Sequence, residues 1–94
     1  MSLSADFSET LALKALAWLV GNDELLPVFL GSTGASAEDL RTAAGDRALM
    51  VSILDFLLLD DSWIMAFCDE NAVPYEHPVQ ARAVLSGGSD MHWT

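Results

Sequence analysis

Residues 48–59 read Ala48-Leu-Met-Val-Ser-Ile-Leu-Asp-Phe-Leu-Leu-Leu59, and only Ser52 and Asp55 among them are polar. At about 100° per residue, Ala48, Ser52, Asp55 and Leu59 fall on one narrow stripe, and every other direction is apolar. A helix that is apolar almost all round is a buried helix. This segment therefore predicts the central element of a small helical domain, covered by its neighbours or finished by a second chain. It decides architecture and leaves chemistry open.

Asp46 is placed to cap this helix, which spans Arg47 to Leu59. Upstream, Ser36-Ala-Glu-Asp39 resembles a capping box and opens a brief helix over Ala37–Ala44, closed by Gly45 and anchored by Leu40. A second helix follows a cap at Asn22 or Asp23 and carries Leu25, Leu26, Phe29 and Leu30 at helical spacing. Pro27 predicts either a kink in that helix or a later start, and Gly31-Ser-Thr-Gly34 ends it. The first helix spans Glu9–Val20 from a cap at Ser8. Thr10, Lys14 and Ala17 form its polar stripe, while Leu11, Ala15, Leu16, Trp18 and Leu19 form a broad apolar arc. It is the natural core partner of the 47–59 helix.

Downstream, Asp60, Asp61 and Ser62 break the apolar run. A fifth helix over Ser62–Ala72 places Trp63, Ile64, Phe67, Cys68 and Asn71 on one face. Val73 precedes Pro74 and leaves the helical region. A sixth helix covers Glu76–Leu85 with Pro78 in its first turn, and Val79, Ala83 and either Val84 or Leu85 point inward. No window alternates with period two. The expected fold is all-α: a compact orthogonal or irregular bundle of five to six short helices without a sheet. Residues 1–7 are expected to form a disordered arm, residues 8–86 a single helical domain, and residues 87–94 a flexible tail with glycines at its start.

Composition narrows function by exclusion. The 94 residues suit one domain, and 52% are hydrophobic, which supplies a dense core and surplus apolar surface. Fourteen acids face only Lys14, Arg41, Arg47 and Arg82, for a formal net charge of −10. That charge repels phosphate, and the scattered arginines make no basic patch, so the glycine-turn cadence of a helix-turn-helix does not predict nucleic-acid binding. The same repulsion disfavours anionic lipid, and Asp55, Asp60 and Asp61 interrupt the longest apolar tract, so no membrane span is expected. A single cysteine and no signal-peptide pattern predict a cytoplasmic protein without disulfides.

Residues that could carry chemistry read more simply as structure. Asp60-Asp61, with Asp55 and Asp69-Glu70 nearby, lacks the alternation of a calcium loop and lacks a Glu-x-x-His pair, so capping explains it. Cys68, His77 and His92 are too dispersed for zinc; Cys68 reads as a buried inert thiol and His77 as an exposed or capping side chain. Ser32 and Thr33, flanked by Gly31 and Gly34, lack the lysine and strand of a phosphate loop. No catalytic residue, cofactor or metal is assigned, and the chain is not expected to be an enzyme. His92 and Trp93, beyond the Gly87-Gly88 pair, either dock on the domain itself or contact a partner, tryptophan being enriched in interaction hot spots.

The cadence ETLALKALAWLVGNDELLPVFLGSTG, then SAEDLR, then LDFLLLDDSWIMAFC resembles a bacterial family of small helical proteins known as domain of unknown function 3572. The resemblance covers about Glu9 to Leu85. Its matching elements are the Ala/Leu-rich first helix, the turn at Phe29–Gly34, the Asp-Leu-Arg of the third helix and the Leu-Asp-Phe-Leu-Leu of the fourth. It implies an all-helical bacterial domain and carries no activity and no functional residue.

The leading expectation is a non-enzymatic adaptor that binds an unknown protein partner, or a second copy of itself, through surplus apolar surface. That requires a contiguous apolar patch to survive folding. The alternative is a small-ligand or enzymatic domain with an inter-helix pocket on which Asp55, Cys68 or His77 converge.

Overall fold

The computed structural model describes residues 3–87. Six α-helices follow one another: α1 (Ala5–Val20), α2 (Leu25–Thr33), α3 (Ala37–Arg41), α4 (Arg47–Leu58), α5 (Asp61–Asn71) and α6 (His77–Leu85). A 3-10 turn at Ala43–Gly45 links α3 to α4, and no strand occurs among the described residues. The expected all-α bundle is the fold.

α4 is the hub. Leu49, Met50, Ile53, Leu54, Phe56 and Leu57 are buried, whereas Ala48 and Leu59 are exposed and Ser52 and Asp55 half-buried. The thin polar stripe read from the sequence is thus the edge that reaches solvent. The chain's own helices cover the buried side, with α1 and α6 packed on α4 and on each other, while Val51 and Leu58 stay half-buried. The core is accordingly three helices rather than the α1–α4 pair. α6 fits there because Ala81, fully buried, has almost no side chain to hold the backbones apart. Aromatic rings tie in the flanks. Phe29 of α2 meets Phe56 edge-on at 5.3 Å, and Phe56 stacks on Trp63 of α5 at 4.8 Å. Trp18 meets Phe67 at 6.0 Å and donates its indole N–H to Glu70 Oε1 at 3.1 Å, joining α1 to α5.

Several boundaries differ from the expectation for identifiable reasons. α1 starts at Ala5 rather than Glu9, because Ser4, not Ser8, is the cap: its Oγ accepts the Phe7 N–H at 3.0 Å. Ser8 is instead a fully buried helical residue whose hydroxyl donates back to the Ser4 carbonyl at 2.8 Å. The arm expected over residues 1–7 is helix from Ala5 onward, and Leu3 packs against the core. The third helix is split. Its capping box forms, with Ser36 N–H donating to Asp39 Oδ2 at 2.9 Å and Asp39 N–H to Ser36 Oγ at 3.2 Å. It ends at Arg41, and the buried anchor is Ala43 of the 3-10 turn, Leu40 being only half-buried.

Pro27 neither kinks α2 nor delays it. It is the third residue of the helix, where its missing N–H has no intrahelical partner to lose. Asn22 Oδ1 accepts the N–H groups of Glu24 and Leu25 there, at 3.1 and 3.0 Å. On α6 the inward face is Pro78, Ala81 and Leu85, so Val79 and Ala83 point outward, contrary to the expectation. α5 presents the face read for it, with Ile64, Phe67 and Cys68 buried.

Candidate functional site

The outward turn of Val79 on α6 creates a distinctive surface among the described residues. On α5, Asp61, Met65 and Asp69 lie four residues apart and form one exposed stripe. At the start of α6, the preceding residue Glu76 and Val79 form a second. Tyr75, in the turn before α6, joins the two: its hydroxyl donates to Asp69 Oδ1 at 2.6 Å, which fixes the ring beside Met65 and Val79. That bond, with desolvation and the Asp69 charge behind it, raises the phenol above its ordinary value. Leu58, Asp61, Ile64, Met65, Tyr75 and Val79 line a depression of about 320 Å³. Met65, Tyr75 and Val79 are 44%, 50% and 52% exposed. Three large apolar side chains on one concave face differ from apolar residues scattered singly over a surface.

The residues suspected of chemistry are placed in structural roles. Asp60 caps α5, its Oδ1 accepting the Ser62 N–H at 2.8 Å and the Ser62 hydroxyl at 2.6 Å. These bonds, the side-chain one first, hold its carboxyl below the ordinary carboxylate value. Asp55 is paired with Arg82, Nε to Oδ1 at 2.6 Å. Thr33 Oγ1 donates to the Phe29 carbonyl at 2.8 Å and accepts the Ala35 N–H at 3.2 Å, while Gly34 takes the left-handed conformation, so this loop is a helix end. Cys68 is buried, and desolvation, helped by Asp69 and Glu76, pushes its thiol upward. Among the described residues no three His, Cys, Asp or Glu side chains gather where they could hold a metal ion.

His77 departs from its reading as an exposed or capping residue. It is half-buried against the edge of Phe7, ring centroids 5.5 Å apart, and its Nδ1 is buried without a partner. It lines a cleft of about 170 Å³ between the first turns of α1 and the α5–α6 turn, together with Thr10, Lys14 and Asn71. Asp55 and Cys68 do not line this cleft, so the three residues named for a shared pocket do not converge. His92 and Trp93 lie outside the described residues.

Met65, Tyr75 and Val79 went unread as site residues. The available signal was the Asp61-x-x-x-Met65-x-x-x-Asp69 spacing, which sets an apolar side chain between two acids on one helix face. Fold and surface together define a small acidic helical bundle with an apolar face on α5 and α6. The chain belongs to the family described as protein of unknown function (DUF3572), whose model matches residues 5–88. No curated protein and no solved structure matches it. No described helix is long and apolar enough to cross a membrane.

Proposed function

We propose that this chain is a non-enzymatic protein-interaction module, an adaptor that docks a protein partner on the α5–α6 face. The observation carrying this reading is the depression in which Met65, Tyr75 and Val79 are each about half exposed on one concave surface. Aromatic and methionine side chains are enriched in the cores of interfaces, and their exposure is otherwise an unfavourable use of apolar area. The reading gains support from the fate of the polar candidates: Asp55 is neutralised by Arg82 and Cys68 is held as a buried thiol. A bacterial, cytoplasmic setting fits a chain with one free, buried cysteine.

The test compares wild-type protein with a Met65→Gln/Val79→Thr double variant as baits in affinity capture from the native host, read by mass spectrometry. Both substitutions are on the surface, so melting temperatures should coincide. A protein retained by the wild type and lost by the variant is the expected result. Identical captures by both would remove the face from consideration, and a light-scattering mass of two chains that falls to one in the variant would make self-association its use.

A small-ligand or enzymatic domain is the second reading, and it draws on the buried, unpartnered Nδ1 of His77 in the wall of the 170 Å³ cleft. A fragment screen by NMR would favour it if perturbations cluster on Thr10, Lys14, Asn71 and His77.

A further inference from the structure

Resting on the docking role of the α5–α6 face, we infer that its occupant is a basic amphipathic helix of a partner protein. The inferred helix carries a large apolar side chain with Lys or Arg one helical turn away on either side. The argument starts from the order of side chains along α5. Asp61, Met65 and Asp69 succeed one another at one-turn intervals, so the carboxylates bracket the apolar centre over about 12 Å of helix. Glu76, the exposed residue that precedes α6, is three residues from Val79 and adds a third carboxylate next to Tyr75. Asp69 is hydrogen-bonded to Tyr75, and Glu76 follows Tyr75 in the chain, so both carboxylates stand beside the same ring.

Among the described residues no Lys or Arg side chain answers that rim. Arg47 is paired with Glu9 at 2.8 Å, Arg82 with Asp55 at 2.6 Å and Arg41 with Glu38 at 3.8 Å; Lys14 lies on α1 and lines the separate His77 cleft. A partner that buried the apolar floor would come within a Debye length of three uncompensated carboxylates. An acidic or anionic surface would be repelled there, and a neutral one would leave the charges partly desolvated without partners. A helix bearing cations at the matching one-turn spacing meets both the floor and the rim. The alternation also sets register, because sliding such a helix by half its repeat would oppose its apolar side chain to a carboxylate.

Three labelled peptides of about 16 residues test this by fluorescence anisotropy with the full chain. The first has Leu flanked by Lys at the fourth residue on each side, the second has Glu in place of Lys, and the third is a scramble of the first. The first should bind at least about tenfold more tightly than either control and weaken severalfold between about 50 and 300 mM salt. Met65→Gln/Val79→Thr should abolish this preference, and Asp61→Asn/Glu76→Gln should reduce it severalfold with binding of the Glu peptide unchanged or improved. Equal binding of the first peptide and its scramble would overturn the inference, as would indifference to Asp61→Asn/Glu76→Gln. Lys and Glu peptides bound equally, and both lost in Met65→Gln/Val79→Thr, would overturn the charge inference while leaving the docking face intact. A homodimer through this face would overturn the inference as well, with the second copy as occupant.

Discussion

Arg82 on α6 donates from Nε to Asp55 Oδ1 on α4 at 2.6 Å, and from its terminal Nη2 to Oδ2 at 3.4 Å. Asp55 is the one charged residue on the outward stripe of α4, so this pair neutralises the only carboxylate carried by the hub helix. The hydrogen bond to Asp55, then the charge of Asp55, raises the guanidinium further above its already high value. With side chains 41% and 48% exposed, however, water and salt screen the pair.

The pair is therefore a latch of modest strength. A double-mutant cycle on Asp55→Asn and Arg82→Gln, followed by urea unfolding, should give a coupling below about 1 kcal/mol that shrinks in high salt. A coupling of several kcal/mol would mean that the pair is desolvated in solution.

Burial on α6 predicts a sharper contrast. Ala81 is fully enclosed where α6 approaches α1 and α4, so Ala81→Leu should cost about 1–3 kcal/mol by overpacking. Leu85→Ala removes a buried side chain from the same face and should cost about 2–5 kcal/mol. Val79→Thr, two residues from Ala81 and on the outer face, should stay within about 0.5 kcal/mol. Urea midpoints rank the three; a Val79→Thr loss as large as that of Leu85→Ala would reverse the face assignment.

That face is also where reading from sequence failed, and the reason is physical. In His77–Leu85 the spacing invites Val79, Ala83 and Val84 or Leu85 inward; of these only Leu85 is buried, and the rest of the packed surface is Pro78 and Ala81, which leave little hydropathy signal. α4 was legible because an almost continuous apolar surface tolerates only one outward stripe. The start of α1 was not, because Ser4 and Ser8 are equally good caps one turn apart, and burial of Ser8 depends on helices distant in sequence. The Met65–Tyr75–Val79 face depends on the same rotation of α6, so its exposure could not be read from α5 alone.

Cys68 should behave as a protected thiol. Burial disfavours the thiolate, and Asp69 and Glu76 add repulsion, so the folded thiol titrates above its ordinary value of 9.0. A raised folded value means that the stability contributed by the neutral thiol is complete below about pH 9 and is lost as pH rises through the folded value. Tyr75, raised from 10.0 by its bond to Asp69, acts in the same direction at still higher pH. A disulfide reagent should label the native protein slowly and the urea-unfolded protein at once. Cys68→Ala should flatten the alkaline fall in melting temperature; an unchanged fall would assign it elsewhere.

Two helix ends that share one backbone conformation predict opposite effects of opposite substitutions. α5 ends at Ala72 with φ 55°, and the Val73 N–H reaches back to the Cys68 carbonyl at 2.9 Å, so an alanine occupies a left-handed position usually filled by glycine. α2 ends at Gly34 with φ 75°, where an added Cβ would meet nothing within 4 Å. The backbone alone decides both cases, since no collision intervenes at Gly34 and Ala72 is exposed. Ala72→Gly should stabilise the protein by up to about 1 kcal/mol through relief of the left-handed strain, less the extra chain entropy of glycine. Gly34→Ala should destabilise it by about 1–2 kcal/mol. Urea unfolding of both variants provides the measurement. Because the Ala72 turn leads directly into Tyr75, a stabilised Ala72→Gly protein that still bound the Lys-flanked peptide would show that this strain is not needed to present the docking face.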